Sequence, residues 1–249
     1  MRAPDELRAL VEDALAELAL HRDLAGLDDA LRYALDGGGK RLRPVLSLAV
    51  AEAAGADLED ALPAAIAIEL VHTFSLVHDD LPALDDDDER RGRASLHVEF
   101  GEANAILAGD AMLAEALRLA LAYDDAAVAR ELADAVLGMI GGQARDVAGD
   151  NGDLAALHRL KTGRLFAACV GCALWVAAVS EEEQGVWRAF GEELGPLFQL
   201  VDDILDGDGI VLVHGADEAA ARAHARLDAI GADTSVLTEI VDGLATRTS

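Results

Sequence analysis

Gln199-Leu200-Val201-Asp202-Asp203-Ile204-Leu205-Asp206 places Gln199, Asp202, Asp203 and Asp206 at i, i+3, i+4 and i+7, the spacing of one face of an α-helix. Ile204 and Leu205 point elsewhere. The segment is therefore an amphipathic helix whose polar face is almost wholly carboxylate. Ser180 followed by Glu183 reads as a capping box upstream, so the helix is expected from about Glu181 to Asp206. Carboxylates stacked without an interleaved Lys repel one another, which costs stability unless a cation bridges them. Hard oxygen ligands, few in number and shared with a phosphorylated substrate, suit Mg²⁺.

Apolar residues recur at helical spacing along nearly the whole chain. Breaks are expected at Gly37-Gly38-Gly39, Gly55, Pro82, Gly92, Gly101, Gly149 to Gly152, Gly207 to Gly209, Gly215 and Gly231. They divide the chain into about ten helices, beginning with Asp5 to Leu20. Of the residues, 52% are hydrophobic and only 4% aromatic, and Ala and Leu dominate, as in an all-helical core. No stretch resembles an interdomain linker, so residues 1–249 read as a single domain.

The formal charge of −27 argues against nucleic acid and anionic lipid as partners. Nothing at Met1 has the pattern of an export signal, which makes the expected location cytoplasmic. The longest uncharged run, Leu165 to Ser180, falls short of the ~20 residues of a membrane span. It reads as a buried helix, with Cys169 and Cys172 as packed core thiols.

A second acidic cluster, His78-Asp79-Asp80-Leu81-Pro82-Ala83-Leu84-Asp85-Asp86-Asp87-Asp88, ends a helix expected to start near Leu62. His72 lies two turns before Asp79 on the same face, about 10 Å away. The cations are concentrated as well. Only two of the 20 basic residues are Lys. Lys40, Arg41 and Arg43 crowd into Gly38-Gly39-Lys40-Arg41-Leu42-Arg43-Pro44, and Arg90, Arg91 and Arg93 follow the acidic cluster. Lys161 begins Lys161-Thr162-Gly163. Bidentate Arg and point-charge Lys beside glycine turns suit a diphosphate, and the glycines let backbone N–H groups approach the anion.

These segments, with Glu69 to Asp80, Arg90-Arg91-Gly92, Leu107-Ala108-Gly109-Asp110-Ala111, Gly142-Gln143-Ala144-Arg145-Asp146 and Phe198 to Asp206, follow one another in an order that resembles the trans-prenyl diphosphate synthases. That family includes farnesyl and geranylgeranyl diphosphate synthases. The resemblance implies a helical bundle around a central apolar cavity, the isoprenoid synthase fold, usually as a homodimer. It implies condensation of isopentenyl diphosphate with an allylic diphosphate, dimethylallyl or geranyl. Carried over, Asp79, Asp80, Asp85, Asp202, Asp203 and Asp206 would hold Mg²⁺. Arg90, Lys161, Thr162 and Gln199 would contact the allylic diphosphate, and Lys40, Arg43, His72 and Arg91 the isopentenyl diphosphate. Phe74, five residues before Asp79, would form the floor that stops the product at fifteen carbons. A proton would leave to the released diphosphate.

The chain departs from the family pattern in Ala94-Ser95, where the family has Pro-Thr. It also lacks any Lys beyond Lys161, where the family has a loop Lys, and Gly207 to Gly215 resembles a shortened form of that loop. Arg247 resembles a C-terminal Arg near the isopentenyl site. The alternatives are a geranylgeranyl diphosphate synthase, a non-catalytic modulatory subunit, which would have lost acid-motif residues, and a terpene cyclase, whose second metal motif has Asn/Ser/Glu character.

Overall fold

The computed structural model describes the backbone of residues 1–149, 152–205 and 210–246. Among the described residues the helices are α1 (Pro4–Ala16), α2 (Asp28–Leu35), α3 (Leu42–Ala53), α4 (Leu58–Asp79), α5 (Leu96–Phe100), α6 (Glu102–Ala120), α7 (Ala127–Val147), α8 (Leu154–His158), α9 (Arg164–Val176), α10 (Gln184–Leu205), α11 (Ile210–Leu227) and α12 (Ser235–Ala245). A 3₁₀ turn spans Arg22–Leu24, and a single π-helical turn, Arg159–Gly163, joins α8 to α9.

α4 is apolar nearly all round, with buried residues from Ala61 to Val77. Such a helix has no face to give to water and goes to the centre. It packs against α3, α6 and α9, while α9 also meets α7 and α10. α4 has the length and apolarity of a membrane span, but 67% of its apolar window is buried inside the bundle. One core cluster runs from Leu7 of α1 to Leu244 of α12. Cys169 and Cys172 are free and buried within it, and burial pushes the Cys169 thiol up to about 12.

Several element boundaries differ from the sequence reading. α4 starts at Leu58, before the expected start near Leu62, and carries Pro63 in its second turn. α1 stops at Ala16. Ser180 Oγ bonds to Glu183 Oε2 at 2.6 Å, a side-chain pair across a turn, and α10 opens at Gln184. Gly215 lies inside α11, against Leu200 of α10. Most of the stretch read as a loop from Gly207 to Gly215 is therefore helix.

The π turn sits between two glycine contacts. A β-carbon on Gly142 of α7 would lie 2.8 Å from the backbone nitrogen of Lys161, and one on Gly195 of α10 would lie 2.6 Å from the α-carbon of Gly163. Backbones approach this closely only where Cβ is missing. Gly141, by contrast, has nothing within 4 Å of such a position. Gly141→Ala should stabilise the protein by about 0.5–1 kcal/mol through helix propensity. Its neighbour Gly142→Ala should destabilise it by about 1–3 kcal/mol through overpacking. Urea unfolding midpoints of the two variants check this, and equal shifts would refute the close contact.

Candidate active site

The end of α4, the turn before α3, the π turn and the end of α10 converge on one cavity of about 930 Å³, within the ~300–1,000 Å³ range of small-molecule sites. The end of α4 and the segment after it contribute Asp79, Asp85, Arg90 and Arg91. The π turn and α10 contribute Lys161, Thr162, Gln199 and Asp202. Lys40, Arg43 and His72 line the same space, with apolar wall from Leu76, Met139, Leu165 and Phe198.

The acidic side is shaped by the chain reversal after α4. The Asp85 amide donates to the Asp79 carbonyl at 2.8 Å and the Asp87 amide to the Asp80 carbonyl at 3.2 Å, so the loop folds back and brings Asp85 beside Asp79. Loss of water contact raises the Asp79 carboxyl to about 6, assisted by Asp85 and Asp80 and opposed by Lys161. Asp80 differs from its neighbour. It is buried, accepts from Arg90 Nε at 2.9 Å and forms an ion pair with the same guanidinium, and it does not line the cavity. Consecutive helical residues diverge by about 100°, so Asp79 and Asp80 cannot face one ligand equally. Among the described residues no closed cage of three metal-binding side chains occurs. Carboxylates from separate elements that line one cavity suit a hard cation that shares its shell with substrate oxygens.

The cationic side depends on contacts that the motifs alone did not disclose. After Arg90 the chain makes a two-residue hairpin between strands β1 (Glu89–Arg90) and β2 (Arg93–Ala94). Arg91 and Gly92 both have positive φ, 54° and 76°, as a type I′ turn demands. The hairpin is held on α2 by Tyr33, whose hydroxyl donates to the Ala94 carbonyl at 2.9 Å and whose ring lies 4.0 Å from the Arg93 guanidinium. Arg91 in turn donates to the Gly38 carbonyl, and a β-carbon on Gly39 would overlap its guanidinium. The glycine turn thus seats an arginine.

Arg41 was part of a quoted motif without a role. It adopts a left-handed conformation, φ 47°, at the start of α3. Its buried guanidinium donates to Glu69 at 2.7 Å, Glu12 at 3.0 Å and the Leu35 carbonyl at 2.5 Å. This tie fixes the turn from which Lys40 and Arg43 enter the cavity. A Glu at position 69 in an otherwise apolar helix was the signal that could have found it.

Arg43 lies 4.6 Å from the Phe166 ring and 5.2 Å from the Phe198 ring and donates to His72 Nε2 at 3.3 Å. Guanidinium can only donate, so His72 Nε2 accepts. Loss of water contact and the nearby Arg43 hold that imidazole well below its usual range, so it is neutral. Among the described residues the buried Arg43 Nε has no hydrogen-bond partner. Across the cavity Lys161 Nζ reaches Asp146 Oδ2 at 2.5 Å, and Thr162 donates to Gln199 Oε1 at 3.4 Å.

Eleven of the sequence-predicted residues therefore share one cavity. Asp80 faces Arg90 behind it. Phe74 is buried with its ring edge-on to His78, centroids 5.7 Å apart, and does not line the described cavity, whose wall at that level is Ser75 and Leu76. Five residues turn Phe74 about 140° from Asp79. The Asp203 side chain, Asp206 and Arg247 lie outside the described residues.

A polyprenyl synthetase family profile matches residues 25–212. The chain is 38% identical over 212 residues to a farnesyl diphosphate synthase of Bacillus subtilis (strain 168), covering 78% of this chain and 72% of that protein. It is 38% identical over 217 residues to a geranylgeranyl diphosphate synthase of Cyanophora paradoxa, covering 81% and 72%. A geranyltransferase structure from Legionella pneumophila superposes with a TM-score of 0.84 at 33% identity, covering 98% of this chain and 94% of that one. The all-α bundle is thus an isoprenoid synthase fold, and the chain belongs to the polyprenyl synthetase family.

The raised Asp79 carboxyl would make cation binding at this residue pH-dependent. Below about pH 6 Asp79 carries a proton that a cation must displace; above it the carboxylate is ready. The rise in Tm caused by saturating Mg²⁺ with inorganic diphosphate should be large at pH 7.5 and much smaller at pH 5.3. An equal rise at both pH values would detach Asp79 from the metal.

Proposed function

We propose that this chain is a Mg²⁺-dependent short-chain prenyl diphosphate synthase that condenses isopentenyl diphosphate with dimethylallyl or geranyl diphosphate, making chiefly farnesyl diphosphate. The observation that supports the reading is that Asp79, Asp85 and Asp202 line one cavity together with Lys40, Arg43, Arg90, Arg91 and Lys161. In this reading Asp79, Asp85, Asp202, Asp203 and Asp206 hold Mg²⁺, with Asp80 acting behind them through Arg90. Bound Mg²⁺ supplies neutralisation of the charge that develops on the departing diphosphate.

The chain's own groups do the rest. Arg90, Lys161, Thr162 and Gln199 hold the allylic diphosphate, and Lys161 and Arg90 stabilise it as its ester bond to carbon breaks. Leu76, Met139, Leu165 and Phe198 keep water from the allylic cation that remains. Lys40, Arg43, neutral His72 and Arg91 hold the second diphosphate so that the isopentenyl double bond attacks that cation. The proton then lost from the new chain goes to the released diphosphate, so no side-chain base is required. Asp202 in the cavity wall supports catalysis over the modulatory-subunit alternative.

A homodimer in the cytoplasm, with residues 1–249 as one domain, completes the proposal. The dimer is supported by an outward apolar strip: Ile106 and Leu107 on α6, and Leu137, Ile140 and Val147 on α7, are 44–67% exposed. Large exposed apolar patches mark contact surfaces. The native chain should sediment as two copies of 26.0 kDa, and Leu137→Asp/Ile140→Asp as one. A native monomer would overturn this element.

Turnover of radiolabelled isopentenyl diphosphate tests the activity. Asp202→Ala should lower kcat by about 10²-fold or more, which corresponds to ~3 kcal/mol of transition-state stabilisation, with an unchanged circular dichroism spectrum. Native-like turnover in this variant would end the assignment. Chromatography of the dephosphorylated products should give mainly the fifteen-carbon alcohol; mainly twenty carbons would favour the geranylgeranyl alternative.

A further inference from the structure

His78 is used by none of the roles above, yet it occupies a built position. It is the penultimate residue of α4, next to Asp79 and Asp80. Its Nε2 lies 3.1 Å from the carbonyl oxygen of Ile106 on α6, and a carbonyl only accepts, so the imidazole donates there. The ring lies over Gly109 of α6, where a β-carbon would overlap Nε2 and Cδ2. One turn earlier on α4, Phe74 meets the ring edge-on, with an interplanar angle of 86°. The imidazole is thus held by a carbonyl, a glycine surface and an aromatic edge.

We propose that His78 is a positioning residue: seated on Gly109 and bonded to Ile106, it locks the last turn of α4 against α6 and sets where Asp79 and Asp80 point. This rests on the metal-site reading given above. A carboxylate about 5–6 Å from a helix axis moves about 1 Å for each 10° of rotation, and such a shift in a reacting site can cost about 10²-fold in rate. Beyond Asp79 the chain enters the exposed loop 82–89, whose Asp85 and Asp87 amides bond back to the Asp79 and Asp80 carbonyls. Those bonds hold the loop to the helix end, and a lateral anchor at residue 78 ties that end to α6. It also gives Phe74 a place in the site, as a support for the ring.

The test compares native protein with His78→Ala, His78→Gln, Gly109→Ala and the double variant His78→Ala/Gly109→Ala. One readout is the Mg²⁺ concentration that half-saturates the Tm increase in the presence of inorganic diphosphate, and the other is kcat. His78→Ala should raise the half-saturating Mg²⁺ and lower kcat, each by about 10-fold or more, with an unchanged circular dichroism spectrum. His78→Gln, whose amide can reach the Ile106 carbonyl, should stay much closer to native. Gly109→Ala should reproduce the His78→Ala effect by displacing the ring. The double variant should be no worse than His78→Ala and more stable than Gly109→Ala, because removing the ring removes the clash.

Native Mg²⁺ response in His78→Ala, or additive losses in the double variant, would overturn the proposal. If His78→Ala does not fold, Gly109→Ala against the double variant decides it. A native protein whose Tm is indifferent to Mg²⁺ and diphosphate would instead overturn the metal-site reading, and this inference with it.

Discussion

The cavity gathers charged side chains of both signs, and very close helix contacts hold the elements that carry them. The π turn that carries Lys161 and Thr162 is clasped between Gly142 and Gly195. The end of α4, which carries Asp79, meets α6 at Gly109. The first two glycines make backbone contacts and the third seats the His78 ring; contacts this close leave little room for adjustment in a close-packed interior. A π turn widens the helix locally and recurs at functional sites; here it sits where the chain passes between the two glycines.

The cationic wall is organised differently, by ion pairs and aromatic faces. Arg41 is fully engaged with Glu69, Glu12 and a carbonyl, so its charge is spent on structure while Lys40 and Arg43 on either side face the cavity. Removing one partner of such a buried pair leaves an uncompensated charge, which is costly. Arg91 is seated on the glycine turn, and Arg93 is stacked on Tyr33. Of the arginines clustered in the two basic motifs, some are tied up in internal contacts and others are not. Arg41 lines the cavity with its guanidinium committed to Glu12, Glu69 and the Leu35 carbonyl, whereas Arg43 packs against Phe166 and Phe198 and donates to His72.

The same division separates the acids. The chain carries 47 acidic residues against 20 basic ones, and most of that excess is solvated surface. What distinguishes Asp79 is that it has lost water without gaining a hydrogen-bonded side-chain partner, which raises its pKa. Asp80 has lost still more water but is compensated by Arg90. Perturbed carboxyls of the first kind mark functional sites more often than satisfied pairs of the second kind.

Periodicity and composition determined the helical class, the central place of the most apolar helices and the one-faced run that puts Gln199 and Asp202 together, because those properties depend on residues within a few turns of each other. The order of the motifs likewise carried most of the cavity's residues. Only the tertiary structure decided that Asp79 faces the cavity while Asp80 turns to Arg90, that Phe74 meets His78 instead of the cavity, that Gly39 makes room for Arg91, and that Arg41 is an internal tie. Apart from Phe74 and His78, which are one turn apart on α4, each of these depends on a partner 10 to 53 positions away or on a single step of about 100° around a helix. Local spacing assigns a residue to a face, and the neighbouring helix determines what that face meets.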